Sequence, residues 1–208
     1  MASAGAGSLA LGPVESCTYA GKVALDGTAK VAAVALALPA AALLRGPPPG
    51  RPAPRGRAAA AGLLVGAAFL PVMIGTTLLQ GEVLRLLERP PRVQELVEEA
   101  IRGDPGTFAV VAFFALTAAP LSEELLFRGY LLGGLRTRLG RLPSAALAAA
   151  AFALIHGIPE AWAVTFLLGL VLADLRERTG GLTAPIAAHA CYNAFQVAGI
   201  WAARGAGG

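Results

Sequence analysis

The stretch SEELLFRGYLL, residues 122–132, sets two carboxylates and a guanidinium inside an otherwise apolar run. An ionisable side chain at bilayer depth costs roughly 2.5–3.5 kcal/mol on insertion scales, so each one is a functional candidate. Glu124 and Arg128 stand four residues apart on one face of a predicted helix, where they can form an ion pair. Glu123 projects about 100° away from Glu124 and is therefore assigned to chemistry rather than to charge balance.

The composition of the whole chain indicates a membrane protein. Of its 208 residues, 56% are hydrophobic and 14% are charged, whereas soluble chains carry roughly 25% charged residues. These values exclude a disordered protein, a coiled coil and an ordinary cytosolic domain. The basic residues are strung between apolar runs and aromatics make up only 6%, so no nucleic-acid partner is expected. The bias toward Ala, Gly, Arg and Pro is bacteria-like, and we expect an integral protein of the bacterial inner membrane.

Apolar runs of about 20 residues are needed to cross roughly 30 Å of hydrocarbon, and somewhat shorter runs suffice among neighbouring helices. The sequence therefore predicts an all-α fold, a polytopic membrane bundle of about seven transmembrane helices. The predicted helices, in chain order, are Thr28–Leu44, Ala58–Gln80, Gly106–Ala118, Leu121–Leu139, Pro143–His156, Glu160–Arg176 and Leu182–Ala203.

Three parts of the chain are distinguished by composition. Residues 1–27 form an N-terminal tail that lacks the pattern of a removable signal. Residues 28–105 hold two membrane helices, a Pro- and Arg-rich loop over 45–57, and an amphipathic helix over 91–103. That helix is either interfacial or a connecting surface helix, and its acidic polar face favours the second interpretation. Residues 106–203 form the core that carries the polar groups.

Two further polar positions interrupt the apolar helices of the core. The chain has two histidines, and His189 shares a predicted helix face with Asn193 four residues later. His156 follows Phe152 at the same spacing. Helical hairpins would put Glu123 and His156 on one membrane side, and His189 would lie ~10 Å into the last helix from the other side. We therefore expect one shared intramembrane pocket.

Small residues at helical spacing are interpreted as packing surfaces. Gly62 with Gly66, and Gly129 with Gly133, stand four residues apart and would let helices approach closely. Cys191 is offset by two residues from the polar face of the last helix. We therefore expect Cys191 to pack against a neighbour and not to act as a nucleophile.

The order of seven alternating spans also predicts which loops share a membrane side. It places the loop 45–57 together with the rim near Glu123 and His156. The opposite side then receives the arginines of the later loops, namely Arg136, Arg138, Arg141, Arg176 and Arg178. Counting Lys and Arg near the span ends does not decide which side is cytoplasmic.

The polar residues resemble the motifs of a known family. The type II CAAX prenyl endopeptidase-like family, also called CPBP, carries three such motifs in this order, and the resemblance covers about residues 106–203. The matching segments are Glu123-Glu124-x-x-x-Arg128, Phe152-x-x-x-His156 and His189-x-x-x-Asn193. The resemblance implies an all-helical intramembrane protease that cleaves a membrane-anchored protein or peptide near its membrane segment or C-terminal anchor.

The resemblance also implies roles for individual residues. Glu123 is the general base, and His156 helps to hold or activate the attacking water. His189 and Asn193 stabilise the oxyanion, while the ion pair of the first motif is structural. The chemistry of the side chains agrees, because amide hydrolysis needs an activated water, a proton acceptor and donors aimed at the developing oxyanion.

Two other functions use the same residues and stay open at this point. A non-hydrolytic member of the family would act as an immunity protein or a partner-binding membrane protein, but a pure binder does not need the intact polar set. A transporter or proton relay would also bury Glu and His. Many transporters contain a two-fold repeat of broken helices, and the chain shows no such repeat.

The same side chains allow a metal-dependent chemistry. If the reaction requires a metal, Glu123, His156 and His189 would bind Zn²⁺ and leave one position for water. Zinc hydrolases of this kind usually set both histidines on one helix and keep a separate glutamate as base. Here the two histidines come from different helices, so a mechanism that requires no metal or other cofactor is favoured.

Overall fold

A computed structural model describes residues 52–89, 104–157 and 159–206. Every regular element within these ranges is helical, as predicted, and they contain no strand. The elements are α1 (Arg55–Ala68), α2 (Leu70–Leu86), α3 (Pro105–Leu116), α4 (Ala118–Glu124), a π-helical segment (Leu125–Leu131), α5 (Leu132–Arg136), α6 (Arg141–Leu154), α7 (Pro159–Thr179) and α8 (Thr183–Ala206). The predicted tail, the first predicted span and the predicted helix over 91–103 lie outside the described residues.

The first two helices form one long apolar run. α1 and α2 are separated by Phe69 alone, because Pro71 cannot donate to the helix ladder and its ring crowds the preceding turn. The run extends from Arg55 to Leu86 and contains the predicted span 58–80. The last three residues of the predicted loop, Arg55 to Arg57, are helical instead, which corrects that prediction at its C-terminal end.

The second run joins two helices that the sequence separates. The predicted spans 106–118 and 121–139 form one helical run from Pro105 to Arg136. Asp104 caps its start by accepting hydrogen bonds from the backbone amides of the first turn. Pro120 lacks an N–H for the helix ladder, so the helix is interrupted at Thr117. The interruption does not reverse the chain, and the prediction of two separate spans is wrong.

The remaining helices complete the core. α6 and α7 form a hairpin whose turn contains Gly157 at φ +75°, a left-handed conformation that glycine adopts at helix ends. At the other end of the hairpin, Arg141 pairs with Asp174 of α7. Arg136 at the end of α5 pairs with Glu177 at 2.8 Å, so the same end of α7 meets the end of the second run.

The start of α1 lies at this arginine-rich end. The Ala53 amide donates to the Thr179 carbonyl at the end of α7, at 2.9 Å. The end of the loop 45–57 is therefore beside the Arg136 and Arg141 ion pairs, whereas the sequence predicts it on the opposite side. The physical reason is that the predicted spans 106–118 and 121–139 cross the bundle once and not twice. With one crossing fewer, the start of α1 lies on the side opposite to the predicted one.

The described residues contain two helical runs that are long and apolar enough to cross a membrane, Arg55–Leu86 and Pro105–Arg136. Each has 32 residues and is about 48 Å long, against about 30 Å of hydrocarbon. α6 is a shorter apolar helix. The predicted number of seven transmembrane helices is not confirmed.

The first pair of glycines forms a close helix crossing, as predicted. A Cβ on Gly62 would lie 2.2 Å from the Ala184 carbonyl oxygen, and one on Gly66 would lie 2.7 Å from the Ala188 carbonyl oxygen. α1 and α8 therefore touch through their backbones. Cys191 also faces α1 from this crossing, which agrees with a packing role. The predicted pair of Gly129 and Gly133 does not form such a crossing, because a Cβ on Gly133 would meet nothing within 4 Å.

Replacing Gly62 by Ala is expected to destabilise the protein. The added Cβ meets backbone of α8 that cannot move aside, and overpacking of this kind costs about 1–3 kcal/mol. Gly75→Ala is the matched control, since Gly75 lies in α2 with nothing within 4 Å and alanine favours a helix over glycine. Thermal unfolding in detergent should show a lower midpoint for Gly62→Ala and an unchanged or higher one for the control. Equal midpoints would contradict a backbone contact between α1 and α8.

Candidate functional site

The two carboxylates of the first motif lie inside the bundle. Glu123 is 7% exposed and Glu124 is fully buried. They end α4 in the middle of the second helical run, and not at the opening of a helix as the sequence predicts. This position follows from the continuity of the run through Thr117. A carboxylate at such depth needs a compensating charge or hydrogen bonds.

Arg128 supplies that charge. Its Nη1 donates to Glu124 Oε1 at 2.7 Å, and the two side chains are 1% and 0% exposed. The predicted i, i+4 ion pair is therefore present. Arg128 belongs to the π-helical segment that follows α4, and π-helical turns within α-helices are frequent at functional sites.

Arg128 also contacts two other helices. Its Nη2 donates to the backbone carbonyl of Gly169 on α7 at 3.2 Å. Its guanidinium carbon lies 4.4 Å from the centre of the Phe152 ring on α6, within the range of a cation–π interaction. One side chain thus joins the second helical run to both helices of the α6–α7 hairpin.

His189 reaches the two carboxylates from α8. Its Nδ1 lies 3.0 Å from Glu124 Oε1, and its Nε2 lies 3.9 Å from Glu123 Oε2. An ionised carboxylate only accepts hydrogen bonds, so Nδ1 carries a proton and donates to Glu124. Helical spacing predicts only the pairing of Glu124 with Arg128. The structure corrects this, because Oε1 accepts from both residues.

Phe152 connects the two imidazoles. Its ring is fully buried and makes edge contacts with His156, at 4.9 Å between ring centres, and with His189, at 5.6 Å. His156 lies in the turn after α6 and is half-buried. Its Nδ1 lies 2.8 Å from the Phe152 carbonyl oxygen, so Nδ1 donates and Nε2 is the acceptor nitrogen of the neutral ring.

Asn193 lies one turn beyond His189 on α8, and its amide is engaged with the backbone. Nδ2 donates to the Ala115 carbonyl oxygen at 2.8 Å. Ala115 is in the last turn of α3, where carbonyl groups lack a partner within the helix. The amide therefore ties α8 to the interruption at Thr117. Nδ2 carries two hydrogens, so this bond uses one of them.

The structure thus brings together most of the residues that the sequence singles out. His189 lies 3.9 Å from Glu123 and 3.0 Å from Glu124, and Glu124 lies 2.7 Å from Arg128. The Phe152 ring packs against both imidazoles, which places His156 next to this group. Among the described residues, no group of three or more His, Cys, Asp or Glu side chains is arranged to hold a metal ion. Glu123, His156 and His189, which would bind Zn²⁺ if the reaction required a metal, do not form such a group.

Two hydrogen-bond acceptors of the site could not be predicted from the sequence, because they are backbone groups. They are the carbonyl oxygens of Gly169 and Ala115, which accept from Arg128 and Asn193. Every residue has a carbonyl, so neither acceptor follows from residue type or spacing. A glycine within the apolar helix α7 is the one hint, because it indicates a close approach to a neighbour.

Residues 105–195 match the family model described as Type II CAAX prenyl endopeptidase Rce1-like. Over these residues, which are less than half of the chain, the chain is similar to that family, and we call them the Rce1-like segment. The match confirms the resemblance drawn from the three motifs, and the Rce1-like segment contains every predicted site residue from Glu123 to Asn193. No curated protein and no solved structure is significantly similar to the chain.

The Rce1-like family consists of membrane proteins and is generally a family of proteases. The two long apolar helices agree with a membrane location. The Rce1-like segment runs from the first residue of α3 into α8 and includes the whole α6–α7 hairpin. The long helix formed by α1 and α2 precedes it.

Removing either partner of the buried ion pair is expected to destabilise the fold. Glu124→Gln would leave the Arg128 charge buried without its counter-ion, and Arg128→Ala would do the same to Glu124. Breaking a buried pair in this way costs about 3–5 kcal/mol. Expression level and the thermal unfolding midpoint in detergent should fall for both variants, and the double exchange Glu124→Arg/Arg128→Glu should recover part of the loss.

The matched control is the exposed pair of Glu82 and Arg85 on α2. The two side chains are 2.6 Å apart and 54% and 68% exposed, and exposed pairs contribute little to stability. Glu82→Gln should therefore leave the unfolding midpoint unchanged. Wild-type stability in either buried variant would refute the assignment of Glu124 and Arg128 as mutual counter-ions.

Proposed function

We propose that the chain is an intramembrane endopeptidase. It hydrolyses a peptide bond near the membrane segment or the C-terminal anchor of a protein or peptide, by a water that Glu and His activate. The observation that carries this proposal is the position of His189 between two buried carboxylates, with Nδ1 at Glu124 and Nε2 facing Glu123. The Rce1-like match over 105–195 supports the same reaction class.

Glu123 is the general base. Its Oε2 lies 3.9 Å from His189 Nε2. An ionised carboxylate has about four lone-pair sites, so Glu123 can accept from a water in addition to its other partners. The acceptor nitrogen of His156 helps to hold that water. Attack forms the bond between the water oxygen and the substrate carbonyl carbon, and Glu123 takes the proton. The same proton then passes to the departing amine as the carbon–nitrogen bond breaks.

Glu124 determines which nitrogen of His189 faces the reaction. Because Nδ1–H donates to Glu124, Nε2 is directed to Glu123 and the substrate. A buried carboxylate that fixes a histidine tautomer in this way is a recurring catalytic device. Arg128 holds Glu124 in place through the bond at 2.7 Å.

The oxyanion is stabilised by His189 and Asn193. His189 donates to the oxyanion from Nε2 while it shares with Glu123 the proton taken from the water, and its Nδ1–H stays on Glu124. Asn193 donates its second amide hydrogen, while the first stays on the Ala115 carbonyl. Donors that are held in place before the reaction stabilise developing charge most effectively.

The substrate class follows from the surroundings of the site. The carboxylates lie among apolar helices, and two helical runs of the chain are long enough to span a bilayer. A substrate bound at this depth must itself be anchored in the membrane. We infer that the partners are a membrane-anchored protein or peptide and the lipid bilayer of the bacterial inner membrane.

Glu123→Gln is expected to abolish cleavage while the fold persists. Glutamine keeps the shape of the side chain but cannot accept the proton of the water. Cells expressing the wild type or the variant at equal levels are compared by labelling new protein N-termini and identifying them by mass spectrometry. New termini next to membrane segments should require Glu123, and a peptide spanning the cleaved bond should be cut by the purified wild type only.

Glu82→Gln is the matched control, because Glu82 is an exposed carboxylate on α2. It should give the same new termini as the wild type. Identical termini in wild type and Glu123→Gln would contradict the proposed protease and favour a non-hydrolytic, partner-binding role.

Asn193→Ala is expected to lower turnover more than substrate binding. A donor that acts on the oxyanion contributes in the transition state, so its loss should reduce kcat by about 10²–10³-fold and leave KM nearly constant. Gln196→Ala is the control, since Gln196 is an exposed amide on the same helix. A raised KM with an unchanged kcat would identify Asn193 as a substrate-positioning residue instead.

A further inference from the structure

Gly169 lies where α7 crosses α6 with almost no space between the two backbones. A Cβ built on Gly169 would lie 2.8 Å from the Ala149 Cβ and 2.9 Å from the Ala149 Cα. Real Cβ atoms essentially never come this close to another heavy atom. Ala149 itself is fully buried. No residue other than glycine fits at this crossing without moving one helix.

The same glycine provides a polar contact to the site. Its carbonyl oxygen accepts from Arg128 Nη2 at 3.2 Å. Arg128 in turn donates to Glu124 Oε1, and that same oxygen accepts from His189 Nδ1. A continuous chain of hydrogen bonds therefore runs from the backbone of α7 to the imidazole.

We propose that Gly169 is a positioning residue of the site, which sets the tautomer and orientation of His189 through Arg128 and Glu124. It touches neither the reacting atoms nor the carboxylates. The distance between α6 and α7, fixed by the absence of a side chain at Gly169, determines where its carbonyl meets Arg128. The catalytic consequence rests on the proposed function, whereas the effect on His189 does not.

Gly169→Ala separates this role from helix stability. Alanine is the better helix former, so α7 itself is not weakened. The new methyl group pushes α7 away from Ala149 and withdraws the carbonyl from Arg128. Arg128 then follows its remaining partners, and the Glu124–His189 bond loosens. The proportion of His189 with its proton on Nδ1 should fall.

The histidine content of the chain makes this proportion measurable. The chain has two histidines, so protein with ¹⁵N-labelled histidine rings, purified without a histidine tag, gives one pair of Nδ1 and Nε2 signals from each ring. His156→Gln assigns them. Wild-type His189 should show the shifts of the Nδ1–H tautomer, and Gly169→Ala should move them toward the Nε2–H tautomer. The His156 signal, whose Nδ1 bonds within its own helix, should move less.

Three further variants complete the test. Gly169→Ala/Ala149→Gly removes one of the two close contacts and should restore part of the wild-type His189 signal. Gly133→Ala is the control in α5, where an added Cβ meets nothing within 4 Å, and it should leave both signals unchanged. If Gly169→Ala does not fold, Ala149→Ser applies a smaller push from α6 and should shift His189 in the same direction.

Turnover provides the second readout. A displacement of about 1 Å at a catalytic group costs about 10²-fold in rate, so Gly169→Ala should lower kcat with little change in KM. The double variant should recover part of it. His189 signals that stay at their wild-type positions in folded Gly169→Ala would overturn the proposal. A wild type without proteolysis would overturn the proposed function and leave the His189 measurement valid, so the two fail separately.

Discussion

Burying the Glu124 carboxylate beside the Arg128 guanidinium constrains every helix that touches them. Two charges without solvent are tolerated only with good geometry and further hydrogen bonds. Two hydrogen bonds come from His189 on α8 and the Gly169 carbonyl on α7, and the Phe152 ring on α6 adds a cation–π contact. The packing of the core helices therefore also determines which atoms of the site donate and accept hydrogen bonds.

The site residues could be predicted from the sequence because polar side chains are conspicuous in an apolar chain. Charged and amide groups are rare there, so Glu123, Glu124, Arg128 and His189 stand out, and helical spacing alone pairs Glu124 with Arg128. The second bond of Glu124, to His189, was not predictable from spacing. It joins helices 65 positions apart in sequence, and only the packing of α8 against the second run brings them within reach.

The second helical run differs from its prediction because local residues alone do not determine whether a helix ends. The sequence around Thr117 and Pro120 favours the end of a helix, because a proline removes a helix hydrogen bond. In the folded chain the helix is interrupted and continues, and the Asn193 amide satisfies the Ala115 carbonyl at the interruption. A long-range partner thus decides between a turn and an interruption. Because the sequence predicts a turn at this point, it places the loop 45–57 on the wrong side of the bundle.

The length of α6 bears on how water reaches a site among apolar helices. Its 14 residues extend about 21 Å, roughly 9 Å less than the hydrocarbon thickness of a typical bilayer. Its first residue, Arg141, is paired with Asp174, and this charged end belongs at the polar headgroups. The mismatch then falls at the opposite end, where His156 and Gly157 close the helix. If α6 crosses the bilayer, local thinning of the bilayer at this short helix would bring the aqueous phase toward the His156 imidazole.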